Sequence, residues 1–356
     1  MSFRTFFLCT PVFALMSTAC GPSGEQRLEE LSAWGPFSVG YTASEVAYTP
    51  PDGSGTRTLR LATWYPSEDT TGTSLKYLGL FNAPNVWENA TVSEGPFPLV
   101  VYSHGHQGYA EASSHLMSYF ASHGYVVAAP DHTGNTTFDG SGRQTAIYYQ
   151  RMTDISAVID HLQENGPTSL TDSVTGIGHS FGGYTMLGLA GGVFDVDGME
   201  QRCIDGDSSP ICSDWSADAA QIFRDGLGDR RLNAVVSMAA GDADKFGLEG
   251  LKQTTAPIMM MDGSLDPATG GSSGPLWEGL QGRNNRRVHI MGGGHQTFSD
   301  MSGILETFDG LIDAETGDQI VNVFSMAFTQ QLDGASGYDG ILDGTVPVSD
   351  AVVLSQ

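Results

Sequence analysis

A serine held between glycines is the first feature of this chain that could do chemistry. The run Gly178-His179-Ser180-Phe181-Gly182-Gly183 follows the strand-like Val174-Thr175-Gly176-Ile177 and precedes a helix-like segment. A serine on so tight a strand-to-helix turn needs neighbours nearly free of side chain, and Gly178 and Gly182 meet that need. Its chemistry would be nucleophilic attack on a carbonyl. A hydroxyl attacks poorly until a base takes its proton, which a histidine can do near neutral pH. Of the 9 histidines, His295 is the candidate base, in the loop Gly292-Gly293-Gly294-His295-Gln296-Thr297-Phe298 that follows a predicted strand, Arg287–Met291. His289 lies within that strand and reads as structural.

A carboxylate must orient the imidazole and stabilise its charged form. Ala256–Met261 reads as a buried strand that opens into Asp262-Gly263-Ser264-Leu265-Asp266, and Asp266 is the expected partner of His295. Asp262 is the first competitor, and Asp242 and Asp244 follow the preceding strand. Attack on a carbonyl also develops negative charge on oxygen, which backbone N–H groups must meet. Phe181, directly after the serine, is one expected donor. The other is His106, with Gln107 as alternative, in the glycine-rich loop Ser103-His104-Gly105-His106-Gln107-Gly108, where the His104 side chain braces the turn.

The elements that must position these residues alternate. Strands are predicted at Phe37–Tyr48, Thr56–Tyr65, Pro98–Tyr102, Gly124–Pro130, Ser173–Gly178, Leu232–Ala239, Ala256–Met261 and Arg287–Met291. Helices are predicted at His115–Ser122, Gln150–Gln163, Gly182–Leu189 and Asp318–Leu332. Such alternation argues for an α/β fold with a mainly parallel sheet covered by helices on both faces. The consecutive Met259, Met260 and Met261 read as gap-fillers in a doubly covered strand. Residues 66–95 are turn-rich and read as a surface excursion, and residues 192–231 as an insertion where a lid would sit.

Formal charge is −25, from 16 basic and 41 acidic residues, with lysine only at 76, 245 and 252. A surface this acidic repels phosphate backbones, so nucleic acid is excluded as a partner. No cysteine–histidine spacing suggests a metal site, and the chemistry above requires no cofactor. Arg4 followed by the apolar Phe6–Met16 reads as an export signal over residues 1–19, too short to span a bilayer permanently. Ser17-Thr18-Ala19 before Cys20 resembles a bacterial lipoprotein processing site, although the usual leucine three residues before the cysteine is Ser17. The expectation is an exported protein, lipid-anchored through Cys20 or secreted, with a polar tether over residues 20–35. The catalytic domain would then span 36–332, before a Gly- and Asp-rich tail at 333–356. Export favours oxidation of the remaining pair, Cys203 and Cys212, and so short a loop gains about 2–3 kcal/mol from closure.

Taken together, Tyr102-Ser103-His104-Gly105, Ala121–His132, Arg151-Met152-Thr153-Asp154-Ile155, Gly178–Gly183 and His295-Gln296-Thr297-Phe298 carry a family resemblance. Over roughly residues 55–330 the chain resembles the platelet-activating-factor acetylhydrolase and dienelactone-hydrolase-like branch of the α/β-hydrolases. That resemblance implies the α/β-hydrolase fold, the chain order nucleophile, acid, histidine, and hydrolysis of small-molecule, lipid or polymer esters. Two departures matter. Dienelactone hydrolases use cysteine where this chain has Ser180, so that activity is not implied. Animal acetylhydrolases place the acid after the preceding strand, but Val236-Ser237-Met238-Ala239-Ala240 has none, which is more similar to cutinase-like polyester hydrolases. Those present a tryptophan clamp near the place of Ala240-Gly241, absent here. Lipase-like and polyester hydrolysis, acyl transfer, and a non-catalytic binding role on the same scaffold are the alternatives.

Overall fold

Short apolar runs make strands that helices can cover on both faces, and six parallel strands built largely on such runs form the centre of this molecule. The computed structural model describes residues 21–77, 81–140, 142–269 and 273–356. Its strands are β1 (Ser38–Tyr48), β2 (Arg57–Ser67), β3 (Ser74–Tyr77), β4 (Phe81–Glu88), β5 (Phe97–Ser103), β6 (Val126–Pro130), β7 (Leu170–His179), β8 (Leu232–Met238), β9 (Ile258–Gly263), β10 (Arg286–Ile290) and β11 (Val352–Ser355). They build one 11-stranded sheet in the order β11-β10-β9-β8-β7-β5-β6-β2-β1-β4-β3. From β6 through β10 in that order all pairings are parallel. The flanks add antiparallel pairings, β2 on β6, β1 on β2, β3 on β4 and β11 on β10.

The helices are α1 (Gly24–Leu31), α2 (Ser114–Ser122), α3 (Thr145–Asn165), α4 (Phe181–Leu189), α5 (Val196–Ile204), α6 (Ala217–Asp225), α7 (Gly247–Leu251), α8 (Ser273–Gly279), α9 (Ala314–Leu332) and α10 (Asp339–Asp343). Side chains alternate across the sheet. Val100, Tyr102, Val127, Met259 and Met261 join a core with Phe120 of α2 and Phe324 of α9. Leu99, Val101, Val126, Ile258 and Met260 join a second core with Ile155 of α3 and Tyr184 of α4. The three methionines therefore fill both cores.

Three stretches are more ordered than their composition suggests. Residues 66–95 hold β3 and β4, which extend the sheet because Leu75, Tyr77, Ala83 and Val86 are buried between turn residues. Within the tether expected at 20–35, α1 starts on a capping box, Ser23 with Gln26, and buries Leu31. Arg27 holds it to the C-terminal segment through a hydrogen bond from Nε to the Ser336 carbonyl (3.1 Å) and a stack over Tyr338 (4.8 Å). The tail from 333 buries Ile341 and Leu342 and ends as the edge strand β11. Residues 192–231 pack Phe194, Met199, Ile211 and Phe223 into the α3/α4 core. A disulfide joins Cys203 at the end of α5 to Cys212, with Cα atoms 5.1 Å apart. The expected signal and Cys20 lie outside the described residues. Among the described residues no helix is long and apolar enough to cross a membrane.

Candidate active site

Loops leaving the carboxyl ends of β5, β7, β8, β9 and β10 meet above the parallel sheet, the place where open α/β sheets offer a crevice. Ser180 sits on the loop after β7, at the entry to α4, with φ 57° and ψ −117°. Positive φ is costly for a residue with a Cβ, so surrounding contacts must hold it. The Ser180 N–H donates to the Met238 carbonyl (2.8 Å), and its own carbonyl accepts from the Gly241 N–H (3.2 Å). A Cβ on Gly178 would lie 2.2 Å from the Gly182 carbonyl oxygen, and one on Gly182 only 1.8 Å from that of Ser103. Only glycine at both positions allows the turn.

His295 begins a 3-10 turn directly beyond β10. Its Nε2 lies 2.9 Å from Ser180 Oγ and its Nδ1 lies 2.9 Å from Asp266 Oδ2. A carboxylate only accepts, so His295 donates from Nδ1 and accepts a hydrogen bond from the Ser180 hydroxyl at Nε2. Asp266 also accepts from the Ala268 N–H (2.8 Å), the Thr269 N–H (3.2 Å) and the Thr269 hydroxyl (3.0 Å). Burial opposes the Asp266 charge, but these bonds, led by His295, hold its carboxyl below the ordinary aspartate value. The His295 turn is itself clamped. Glu306 accepts from the N–H groups of His295 (3.1 Å) and Gln296 (2.9 Å), and His179 Nε2 donates to the His295 carbonyl (2.8 Å). Burial pushes His179 down to about 3, so it stays neutral beside His295.

The competing carboxylates have other partners. Asp262 binds Arg287 through two hydrogen bonds (2.7 and 3.1 Å) and also His289, the strand histidine. Asp242 pairs with Arg143 and accepts from the Tyr148 hydroxyl (3.2 Å), while Asp244 pairs with Lys245 (2.8 Å).

A family model described as serine aminopeptidase, S33, matches residues 95–198. No curated protein matches the sequence. Among solved structures, a ferulic acid esterase from Streptomyces cinnamoneus superposes with a TM-score of 0.64 at 20% identity, covering 92% of this chain and 99% of the other. The chain has an α/β-hydrolase-type fold.

In this fold the loop after β5 lies against the serine: a Cβ on Gly105 would be 3.2 Å from Ser180 Cβ. Phe181 opens α4, where the first N–H groups have no helical partner. Among the described residues, the backbone N–H groups of Phe181, His106 and Gln107 enter no loop or turn hydrogen bond. His104 Nδ1 donates to the Gly105 carbonyl (2.7 Å) and its Nε2 accepts from the His132 N–H (3.1 Å), as expected of a bracing residue.

The sequence reading missed what lies beneath that loop. Arg151, fully buried on α3, donates to the Asn135 side-chain oxygen (2.9 Å), the Ser103 hydroxyl (3.1 Å) and the His104 carbonyl. Asp154, also fully buried, accepts from Arg57 (2.7 and 2.9 Å), the Tyr48 hydroxyl (2.6 Å) and His132 Nδ1 (2.8 Å). His132 Nε2 in turn lies 2.9 Å from Ser103 Oγ. Burial lowers Arg151 to about 9 and His132 to about 3. One signal could have revealed this network: Arg151 falls on the buried stripe Tyr148, Arg151, Ile155, Val158, where a charge must be paired. No cluster able to hold a metal occurs among the described residues.

Proposed function

We propose that this chain is a cofactor-independent carboxylic ester hydrolase that works through an acyl-enzyme on Ser180. The observation that carries the reading is the continuous hydrogen-bonded chain Ser180–His295–Asp266 (2.9 and 2.9 Å) hung from a strained turn beside uncommitted backbone N–H groups. In the proposed reaction Ser180 Oγ attacks the ester carbonyl as His295 Nε2 takes its proton. Asp266 holds the imidazole in the competent tautomer and stabilises its charge. The N–H groups of Phe181 and His106 receive the oxyanion. His295 then returns the proton to the leaving alcohol, and water, activated by the same histidine, releases the acid. Similarity in fold to a ferulic acid esterase supports ester chemistry.

The family model's description favours amide hydrolysis as the second reading. Hydrolysis of p-nitrophenyl esters from acetyl to palmitoyl, beside aminoacyl p-nitroanilides, separates the two. Turnover of esters that disappears in Ser180→Ala supports the proposal. Turnover of anilides alone, or esterase activity surviving in folded Ser180→Ala, would overturn it. The chain-length profile then distinguishes small-ester, lipase-like and polyester hydrolysis. The Cys203–Cys212 disulfide supports an exported protein; the reading adds Cys20 as lipid attachment point, from the small residues before it, and no nucleic acid partner, from the charge of −25. Incorporation of labelled fatty acid that is lost in Cys20→Ala tests the anchor.

A further inference from the structure

Phe181 is framed by polar side chains that the proposed acyl transfer does not use. The guanidinium groups of Arg151 and Arg143 lie 4.8 and 5.4 Å from its ring centre, and the His106 imidazole meets it edge-on at 6.5 Å. The protons on this rim follow by elimination. A guanidinium only donates, so the Asn135 atom 2.9 Å from Arg151 Nη1 is the amide oxygen. The Asn135 amide nitrogen therefore donates to His106 Nδ1, also at 2.9 Å. A neutral imidazole that accepts at Nδ1 carries its proton on Nε2. Burial, then the nearby Arg143 cation, lower the His106 pKa and keep the ring neutral.

His106 is exposed, and among the described residues no protein group accepts from its Nε2. It stands one residue from Gly105, which packs against Ser180. Arg143 is neutralised by its ion pair with Asp242, and the protein as a whole carries −25, so an anion is disfavoured at this rim.

We propose that the His106 side chain is a specificity-determining donor, giving its Nε2–H to a neutral ether or hydroxyl oxygen of the substrate near the scissile carbonyl. The inference rests on the ester-hydrolase reading and adds a substrate class to it: oxygen-bearing esters rather than plain alkyl ones. An alkyl group seated against this N–H strips its water and returns no hydrogen bond, whereas an oxygen replaces the bond.

Two matched pairs of esters test it. One pair, p-nitrophenyl methoxyacetate and butyrate, exchanges oxygen for carbon in the acyl chain. The other, 2-methoxyethyl and butyl butyrate, does so in the alcohol. Each kcat/KM is divided by the rate with hydroxide to remove intrinsic reactivity. The wild type is expected to prefer the oxygen-bearing member of at least one pair by about tenfold. His106→Phe, which leaves the backbone in place, abolishes that ratio, and His106→Gln, which keeps an N–H donor, retains most of it. A merely structural role would lower both members together. Ratios near one in both pairs, or a ratio unmoved in His106→Phe, would overturn the inference. Preference for mono-p-nitrophenyl succinate over the methoxyacetate would overturn the choice of a neutral oxygen. Histidine ¹⁵N spectra provide a readout independent of turnover: a proton on Nδ1 of His106 at neutral pH contradicts the elimination. Inactivity toward all four esters with the proton on Nε2 would instead overturn the hydrolase reading, and the specificity role with it.

Discussion

The molecule contains two chains of serine, histidine and aspartate with nearly the same bond lengths. In one, Ser180, His295 and Asp266 are joined at 2.9 and 2.9 Å; in the other, Ser103, His132 and Asp154 are joined at 2.9 and 2.8 Å. Their surroundings separate them. Ser180 is half-buried on a left-handed turn, and among the described residues only His295 bonds its hydroxyl. Ser103 is fully buried at the end of β5, and Arg151 also donates to its hydroxyl. Arg57 and Arg151 flank the inner chain, and burial holds His132 far too low to accept a proton at neutral pH. Geometry alone does not make a nucleophile. The inner chain has no access for a substrate, no strained turn and a base that burial keeps neutral.

Substitutions in the two chains should therefore fail in opposite ways. Ser180→Ala is expected to lower kcat by about 10⁶ while leaving the thermal midpoint near that of the wild type. Ser103→Ala should cost stability, about 1–3 kcal/mol for the unmet polar groups of His132 and Arg151, and far less turnover. Steady-state kinetics with thermal melts on both variants would break the comparison if the losses were reversed. Between the carboxylates, Asp266→Asn should cost about 10⁴ in kcat, from the wrong imidazole tautomer. Asp154→Asn should instead cost about 3–5 kcal/mol, because it leaves Arg57 buried against a neutral group, and denaturant midpoints would reveal it.

Acid sharpens the same contrast. His132 sits at about 3 in the folded chain against an ordinary 6.5, so the unfolded chain binds a proton that the folded one refuses. Its contribution to stability is whole above pH 6.5 and declines as the pH falls toward about 3. Asp154 adds to this. Burial alone would raise its carboxyl, but the bonds from Arg57 and His132 lower it, so its stabilisation is also lost as acid protonates it. Melting temperature should fall as pH drops below 6.5, and His132→Gln should flatten that slope. The smallest expected effect on turnover is that of reducing the Cys203–Cys212 bridge, which costs about 2–3 kcal/mol of stability and leaves the chemistry at Ser180 untouched.

The outer chain was legible from the residues alone because each member follows a strand end and is announced by glycines: Gly178 and Gly182 around Ser180, Gly292 to Gly294 before His295, Gly263 before Asp266. Those glycines mark close approach. A Cβ on Gly263 would lie 2.2 Å from the Gly293 carbonyl oxygen, which is how the acid and histidine loops meet. The inner chain was hidden because its members and partners come from β1, β2, β5, α3 and the loop after β6, and Asp154 and Arg151 on α3 look like one helix's surface charges until burial is known. The parallel sheet was legible from its apolar runs. The outer strands β3, β4 and β11 were not, since their buried residues are few and set among Gly, Asn and Asp, and only pairing with the existing sheet orders them.

The most direct test of the account is to ask which serine is reactive. The purified protein is incubated with a fluorophosphonate probe, digested, and the labelled peptide located by mass spectrometry. The account predicts one adduct, on Ser180, absent from Ser180→Ala and retained in Ser103→Ala. An adduct on Ser103, or no adduct on a folded wild-type protein, would contradict it.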